Sequence, residues 1–314
     1  MGFKVLHGGL QSLIKDLGRM GFRGAGVPIS GVLDPYRYFW VNGILGNSRY
    51  NPIVEMKMIG VEIEFDTDHL IALTGFSAET FLDDKKLHLF RPYKVKKGQV
   101  LKVGKINENG TIYLGIRGNW NLDKALGSVS SDLLTPFAGL LGRALKKGDK
   151  VSIENDTVPI DYSVSIPEEI LVRRTGLKTI RILTGPESNL LKNGKKNHLS
   201  DNIITIDRTS NRMGLRLVSE IPVLRVNKNM LSSFVHPGTI QASSEKNLIL
   251  LLNHSQTTGG YPRVAQVIRG DMYKLAYLGP GDQILFKWTT IEEAKYIERY
   301  QWGQFNLLWN LYFE

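Results

Sequence analysis

The sequence predicts a mainly β protein, and three observations carry that reading. Short segments alternate apolar and polar residues with period two, as Val61-Glu62-Ile63-Glu64-Phe65 does. Three similar glycine turns each lead into such a segment: Lys97-Gly98-Gln99, Lys147-Gly148-Asp149 and Pro280-Gly281-Asp282. Helical patterns are confined to two places. Many short strands punctuated by glycine turns argue for barrels or sandwiches.

In chain order, the first well-marked element is a helix. Asp34 offers an N-cap acceptor and Pro35 suits the first helical position. Tyr36, Phe39, Trp40 and Ile44 then give an apolar stripe that ends near Gly46. Half-buried strands follow at Met56-Lys57-Met58 and Val61–Phe65, and another strand at Ile112–Ile116. The second half repeats the pattern at Thr179–Leu183 and Val264–Ile268. Between them lies the most apolar run of the chain, Leu248-Ile249-Leu250-Leu251-Leu252, which reads as a buried strand. Thr290-Ile291-Glu292-Glu293 is a capping box opening a helix through Ile291, Ala294 and Ile297. Beyond Arg299 the chain crowds Tyr300, Trp302, Phe305, Trp309, Tyr312 and Phe313 among leucines. Large exposed apolar patches are unusual, so this tail is expected to fold back on its own chain or meet a symmetry mate.

Leu73-Thr74-Gly75 and Leu183-Thr184-Gly185 each follow a strand, a faint internal echo that suggests duplication. The boundary is placed at the polar stretch Pro167-Glu168-Glu169. That gives domains at 1–167 and 168–290, with a C-terminal helix and aromatic tail over 291–314.

Composition narrows the function classes. At 314 residues, with 42% hydrophobic and 22% charged content, the chain reads as a soluble globular protein. No apolar run approaches the roughly 20 residues needed to span a bilayer, so no membrane association is expected. The N-terminus lacks the pattern of a signal peptide and there are no cysteines, so the cytoplasm is the expected compartment. The net charge of +10 comes from dispersed clusters in turns. No nucleic-acid motif accompanies it, and an acidic partner or carboxylate substrate fits the charge equally well. Six histidines without a His-x-x-x-His pair predict no metal site. Neither a Gly-x-x-x-x-Gly-Lys-[Ser/Thr] loop nor a Gly-x-Ser-x-Gly elbow occurs.

The candidate chemistry centres on Gln256-Thr257-Thr258-Gly259-Gly260-Tyr261-Pro262, directly after the apolar run. Two glycines let a backbone turn and approach a ligand closely, while Thr257, Thr258 and Tyr261 supply hydroxyls without fixed charge. The same residues also suit a tight turn whose threonines satisfy their own backbone. Arg212 could pair bidentately with a substrate carboxylate or make a structural ion pair in a turn. Gln241 and Gln256 could read an amide edge or tie loops together. His254 is the one histidine beside a motif, where a loop histidine commonly serves as a surface hydrogen-bonder.

Several ordered motifs stand at compatible spacing: Gln11–Arg19, Gly26–Pro35, Leu73-Thr74-Gly75, Arg91-Pro92 ahead of Gly98-Gln99, Ser210–Leu217, Pro237–Gln241 and Gln256–Pro262. Together they resemble the allophanate hydrolase subunit 2 family of biotin-dependent carboxyltransferase-like proteins, from about Val5 to Ala294. That family includes the third subunit of bacterial 5-oxoprolinase and the antagonist of a sporulation-kinase inhibitor. The resemblance implies two cyclophilin-like β-barrel domains with few short helices.

It also implies work inside a complex. The companion would be a carboxyltransferase-like protein, either the B-type 5-oxoprolinase subunit or the kinase-inhibitor type. A third, hydrolase subunit would complete the complex, and a homo-oligomer is possible. ATP would be used by the assembled complex, and biotin would enter only if the activity were urea carboxyl transfer. In either chemistry negative charge develops on oxygen, which calls for preorganised neutral donors. The implied catalytic set is Thr257, Thr258, Gly259, Gly260 and Tyr261. Ser30 and Asp34 of the N-terminal motif join Arg212, Gln241 and Gln256 as substrate-binding candidates. Two positions depart from the family pattern: Asn253 stands where an acidic residue is usual, and Val129 where an arginine is common. An asparagine cannot serve as a carboxylate base.

Overall fold

The computed structural model describes residues 2–107, 109–133, 142–154, 164–167, 177–191, 197–218, 230–243 and 247–313. The chain divides into two compact units. Met1–Arg19, Ser30–Arg173 and Asn306–Glu314 make the first, and Met20–Ile29 with Arg174–Phe305 the second. The junction expected at Pro167/Glu168 borders residues 168–176, which lie outside the described residues.

In the first unit the strands are β1 (Phe3–His7), β2 (Gln11–Lys15), β3 (Ile53–Lys57), β4 (Glu62–Phe65), β5 (His69–Gly75) and β6 (Ala78–Leu82). Next come β7 (Lys85–Lys86), β8 (Pro92–Val95), β9 (Val100–Ile106), β10 (Thr111–Ile116), β11 (Asn119–Asn121) and β12 (Lys150–Glu154). They form a seven-stranded sheet, β11-β12-β1-β4-β9-β6-β7, and a five-stranded sheet, β2-β3-β10-β5-β8. One core fills the space between them, with Phe3, Val5, Ile63 and Leu101 from the first sheet and Ile14, Val54, Ile71 and Leu114 from the second.

Helix α1 (Pro35–Ile44) covers the other face of the five-stranded sheet, packing on β5 and β10. Gly115 in β10 makes room for it: a Cβ there would lie 2.7 Å from Leu45 and 2.9 Å from Val41. This second cover explains why β3 is buried along Ile53–Met56 rather than alternating, as the Met56-Lys57-Met58 pattern implied. It also buries α1 on every side, from Arg37 through Ile44. The Asp34 carboxylate accepts from Tyr36 N at 2.9 Å and Arg37 N at 3.2 Å, as an N-cap should. Asp34→Ala is expected to cost about 1–2 kcal/mol in a denaturant melt. An unchanged midpoint would show that the cap is redundant.

The second unit holds β13 (Lys178–Thr184), β14 (Ile204–Ile206), β15 (Gly214–Val218), β16 (Ser233–Phe234) and β17 (Thr239–Ala242). It continues with β18 (Asn247–Leu251), β19 (Thr258–Gly259), β20 (Arg263–Val267) and β21 (Gln283–Trp288). Seven of these close a barrel in the order β13-β20-β17-β18-β15-β14-β21. Closure is made by β13 and β21 running parallel, Lys178 beside Ile284 through Ile182 beside Trp288. The remaining two, β16 and β19, form a small ribbon.

The three glycine turns adopt one geometry. Gly98, Gly148 and Gly281 have φ of 84°, 92° and 84°, and a Cβ would touch nothing at any of them. Left-handed backbone alone therefore selects glycine there.

Helix α2 runs through Ile291–Phe313, so the aromatic tail is helical to its end and no separate appendage. The capping box is half realised: Glu293 N donates to Thr290 Oγ1 at 3.1 Å. Within the second unit, Gly270 lets Ile297 and Gln301 approach closely, and Arg269 pairs with Glu298 at 3.2 Å. Within the first unit, Trp309 and Phe313 stack on Trp40 of α1, with centroids 6.1 and 5.5 Å away. Gly43 permits that contact, because a Cβ would meet the Phe313 ring at 2.5 Å.

Candidate functional site

The glycine loop leaves the barrel at the end of β18 and returns at β20. Leu248, Leu250 and Leu251 are buried, so the apolar run does anchor the loop as a buried strand. A turn follows, closed by Ser255 N donating to Leu252 O at 2.9 Å. His254 within that turn is 2% exposed, a buried residue rather than the surface hydrogen-bonder expected of it.

From Gln256 onward the loop is fixed on several sides. Thr257 O accepts from Val235 N at 3.0 Å, and Thr258–Gly259 pairs with Ser233–Phe234 as the ribbon. Gly260 O accepts from Met230 N at 2.9 Å. Gln241 lies beneath, fully buried, donating through Nε2 to Tyr261 O at 3.2 Å. Neither loop glycine adopts the positive φ that a tight turn would need. They are selected by crowding: a Cβ on Gly259 would stand 2.7 Å from Gln241 Nε2, and one on Gly260 3.0 Å from Met230 O.

Arg23 completes the frame, and no sequence motif had pointed to it. Its guanidinium donates to Val235 O and, at 3.4 Å, to Gln256 O. Burial pulls its pKa below the ordinary arginine value, and His236 is likewise lowered by burial and then by Arg23. Arg263 in β20 forms a two-pronged pair with Glu187, at 2.9 and 2.7 Å, and also donates to Phe234 O at 2.9 Å. It thereby ties the ribbon to the barrel. Hydrogen bonds from Arg263 hold the Glu187 carboxyl below its ordinary value, outweighing burial. A depressed carboxyl stabilises the fold above its unfolded pKa, and that contribution disappears as pH falls through the lower folded value. Glu187→Gln is therefore expected to flatten the acid limb of a stability-versus-pH curve; an unchanged limb would remove the pair from the account.

The sequence-predicted residues divide between the units. Gln241, Gln256, Thr257, Thr258, Gly259, Gly260 and Tyr261 are gathered by the loop, with Thr257 buried and Thr258 and Tyr261 exposed. Arg212 belongs to the same unit, on a turn shaped by Asn211 Oδ1 accepting from Met213 N at 2.8 Å. It is 6% exposed and held by interactions within the protein. Ser30 and Asp34 belong to the first unit: Asp34 caps α1, and Ser30 is fully buried with φ of 55°. Val129 donates its N–H to the Asp16 carboxylate at 2.8 Å, a backbone bond that needs no particular side chain. Among the described residues, no cluster of His, Asp and Glu could hold a metal ion. No described helix is long and apolar enough to cross a membrane.

Sheets with few helices and a polar glycine loop framed by arginines match a known class. Residues 25–288 match the carboxyltransferase domain family, subdomain A and B, and the chain belongs to that family. It is 32% identical over 311 residues to the C subunit of 5-oxoprolinase from Escherichia coli (strain K12), covering 96% of this chain and 99% of that protein. The corresponding 5-oxoprolinase C subunit of Haemophilus influenzae is also 32% identical, over 290 residues and 92% of each chain. Among solved structures, the Kluyveromyces lactis urea amidolyase superposes with a TM-score of 0.88 at 26% identity. That match covers 97% of this chain but only 20% of the larger enzyme.

Proposed function

We propose that this chain is one component of a multi-subunit, ATP-dependent 5-oxoprolinase, with its substrate site on the Gln256–Pro262 loop. The observation that carries this reading is the state of Gln241. Its Nε2 is committed to Tyr261 O, while among the described residues its buried Oε1 has no hydrogen-bond partner. A fixed, buried acceptor of this kind calls for an N–H donor. Across the same loop, the buried Nη1 of Arg23 lacks a partner among the described residues and calls for an oxygen, best a carboxylate. A lactam N–H and a carboxylate are the two recognition groups of 5-oxoproline.

In this reading Gln241 receives the ring N–H and Arg23 the carboxylate. Tyr261, Thr257, Thr258 and the Gly259-Gly260 backbone then stand as neutral donors for the oxygen that gains charge when the lactam opens. The relationship to the two bacterial 5-oxoprolinase C subunits supports the assignment. No P-loop is present, so ATP is assigned to the assembled complex, with a B-type companion and a third, hydrolase component. The whole would work in the cytoplasm.

The chain alone should not turn over 5-oxoproline with ATP, while a mixture with its companion subunits should. Robust turnover by the single purified chain would sink the composite-site reading. A second reading, a non-enzymatic regulator that sequesters the companion, is favoured by Asn253, which cannot act as a carboxylate base. It predicts tight, loop-dependent binding to the companion with no activity in any mixture. Urea carboxyl transfer is favoured only by the likeness to urea amidolyase, and would need biotin delivered by another protein.

A further inference from the structure

Helix α2 carries large apolar side chains on two faces, and its own chain covers only one of them. Phe305 and Trp309 are buried. On the opposite side stand Tyr296, Tyr300, Leu307 and Leu311, each between 57% and 73% exposed. Together with Gly303 they follow helical spacing and line up in one stripe. Tyr296 and Tyr300 stack with centroids 6.3 Å apart, so part of that surface is already ordered. A helix that is apolar on both sides is ordinarily covered on both.

Gly303 points to close contact along this stripe. Glycine is the least favourable residue after proline in a helix interior. The other glycines that meet this helix are selected by crowding, Gly43 by Phe313 and Gly270 by Gln301. At Gly303 a Cβ would meet nothing within 4 Å, and the residue has no positive φ. Nothing within the described residues therefore calls for glycine there, whereas a second backbone approaching the helix would.

The order of residues in the stripe identifies the neighbour. Tyr300 and Leu307 stand symmetrically about Gly303-Gln304, and so do Tyr296 and Leu311. A two-fold axis at that point brings an identical helix across in the antiparallel sense. Tyr300 then meets the partner's Leu307, Tyr296 meets the partner's Leu311, and the two glycines sit at the crossing. Self-complementarity of this kind is what a closed two-fold contact needs. Charge agrees. A chain of net charge +10 repels its own copy unless the two meet on a neutral face, and residues 300–313 contain no Asp, Glu, Lys, Arg or His. Glu292, Glu293, Lys295, Glu298 and Arg299 all lie in the first half of the helix. Antiparallel pairing sets them beside the uncharged half of the other copy. A lipid surface fits less well, because the same uncharged stretch offers no Lys or Arg to anionic headgroups.

We propose that this stripe is a homodimer interface, in which two copies of the chain pair their α2 helices antiparallel about a two-fold axis at Gly303-Gln304. The proposal is independent of the role given to the glycine loop.

The test is sedimentation of the full chain over a range of concentrations, which should show a monomer–dimer equilibrium. Leu307→Glu should leave circular dichroism unchanged, since Leu307 is exposed, and weaken dimerisation at least about tenfold. Adding Tyr300→Lys to that variant should restore the dimer, because position 300 of one copy meets position 307 of the other. The chain has no cysteine, so Gln304→Cys introduces a single thiol, and mild oxidation should link two copies through it. Should Leu307→Glu fail to fold, the Gln304→Cys crosslink decides alone. A chain that is monomeric at every concentration, or a dimer indifferent to Leu307→Glu, overturns the proposal. Failure of Tyr300→Lys to rescue overturns the antiparallel pairing. Binding to phosphatidylserine-containing vesicles that Leu307→Glu abolishes, with no dimer in solution, would assign the stripe to lipid instead.

Discussion

Replacing Gly260 with valine is expected to abolish 5-oxoproline turnover by the assembled complex. The position leaves little room for a side chain: a Cβ would stand 3.0 Å from Met230 O, and the Met230 N–H holds Gly260 O. A branched side chain must push the loop off the 230–234 segment, and with it the Tyr261 carbonyl that fixes Gln241. Tyr261→Phe is the finer companion experiment. Tyr261 is 39% exposed, so losing its hydroxyl should leave the melting temperature unchanged. Removing one oxyanion-type donor typically lowers turnover by about 10²–10³. Wild-type activity in both variants, with normal folding, would make the loop structural and place the chemistry elsewhere.

Deleting the residues after Arg299 is expected to lower the melting temperature by about 10 °C or more, or to leave the chain insoluble. The deletion removes Phe305 and Trp309, which are 5% and 6% exposed, and Phe313, whose ring lies 4.6 Å from that of Trp309. Each buried aromatic contributes about 1.5–3 kcal/mol. Their sum is a large share of the ~5–15 kcal/mol that keeps a protein folded. Trp40 and Gly43 of α1 would be uncovered at the same time, and Arg49 would lose the Trp309 ring it stacks on at 4.1 Å. Unchanged thermal unfolding and light scattering would show the helix end to be dispensable.

Strand periodicity, glycine turns and caps were legible because each is a local event. Gly98, Gly148 and Gly281 announce a left-handed residue, and Asp34-Pro35 announces a helix start. The echo between Leu73-Thr74-Gly75 and Leu183-Thr184-Gly185 also has a physical basis. Both glycines end a strand where a neighbouring strand's carbonyl would lie 2.2 Å from a Cβ, Thr111 O for Gly75 and Arg263 O for Gly185.

The loop was legible as a glycine-rich connection after a buried strand, but the crowding at its glycines was not. Crowding by Gln241 and Met230 is a long-range contact, and nothing between Gln256 and Pro262 signals it. Arg23 escaped for the same reason, being more than two hundred residues from the carbonyls it holds. The helical tail was hidden by its richness. Phe305, Trp309 and Phe313 do repeat every fourth residue, but apolar neighbours on the other faces masked the stripe.

The parallel seam between β13 and β21 sets the order in which this chain can mature. Antiparallel neighbours such as β17 and β18 can pair as soon as a short connection has been made. The seam must instead wait until everything from Lys178 to Trp288 has left the ribosome. Long-range closures of this kind are slow, because loop entropy is lost before any contact is gained. Until then the edges of β13 and β14 are unpaired on one side, and such edges invite pairing with foreign chains. The barrel of the second unit therefore stays open to such pairing from the synthesis of β13 until that of β21.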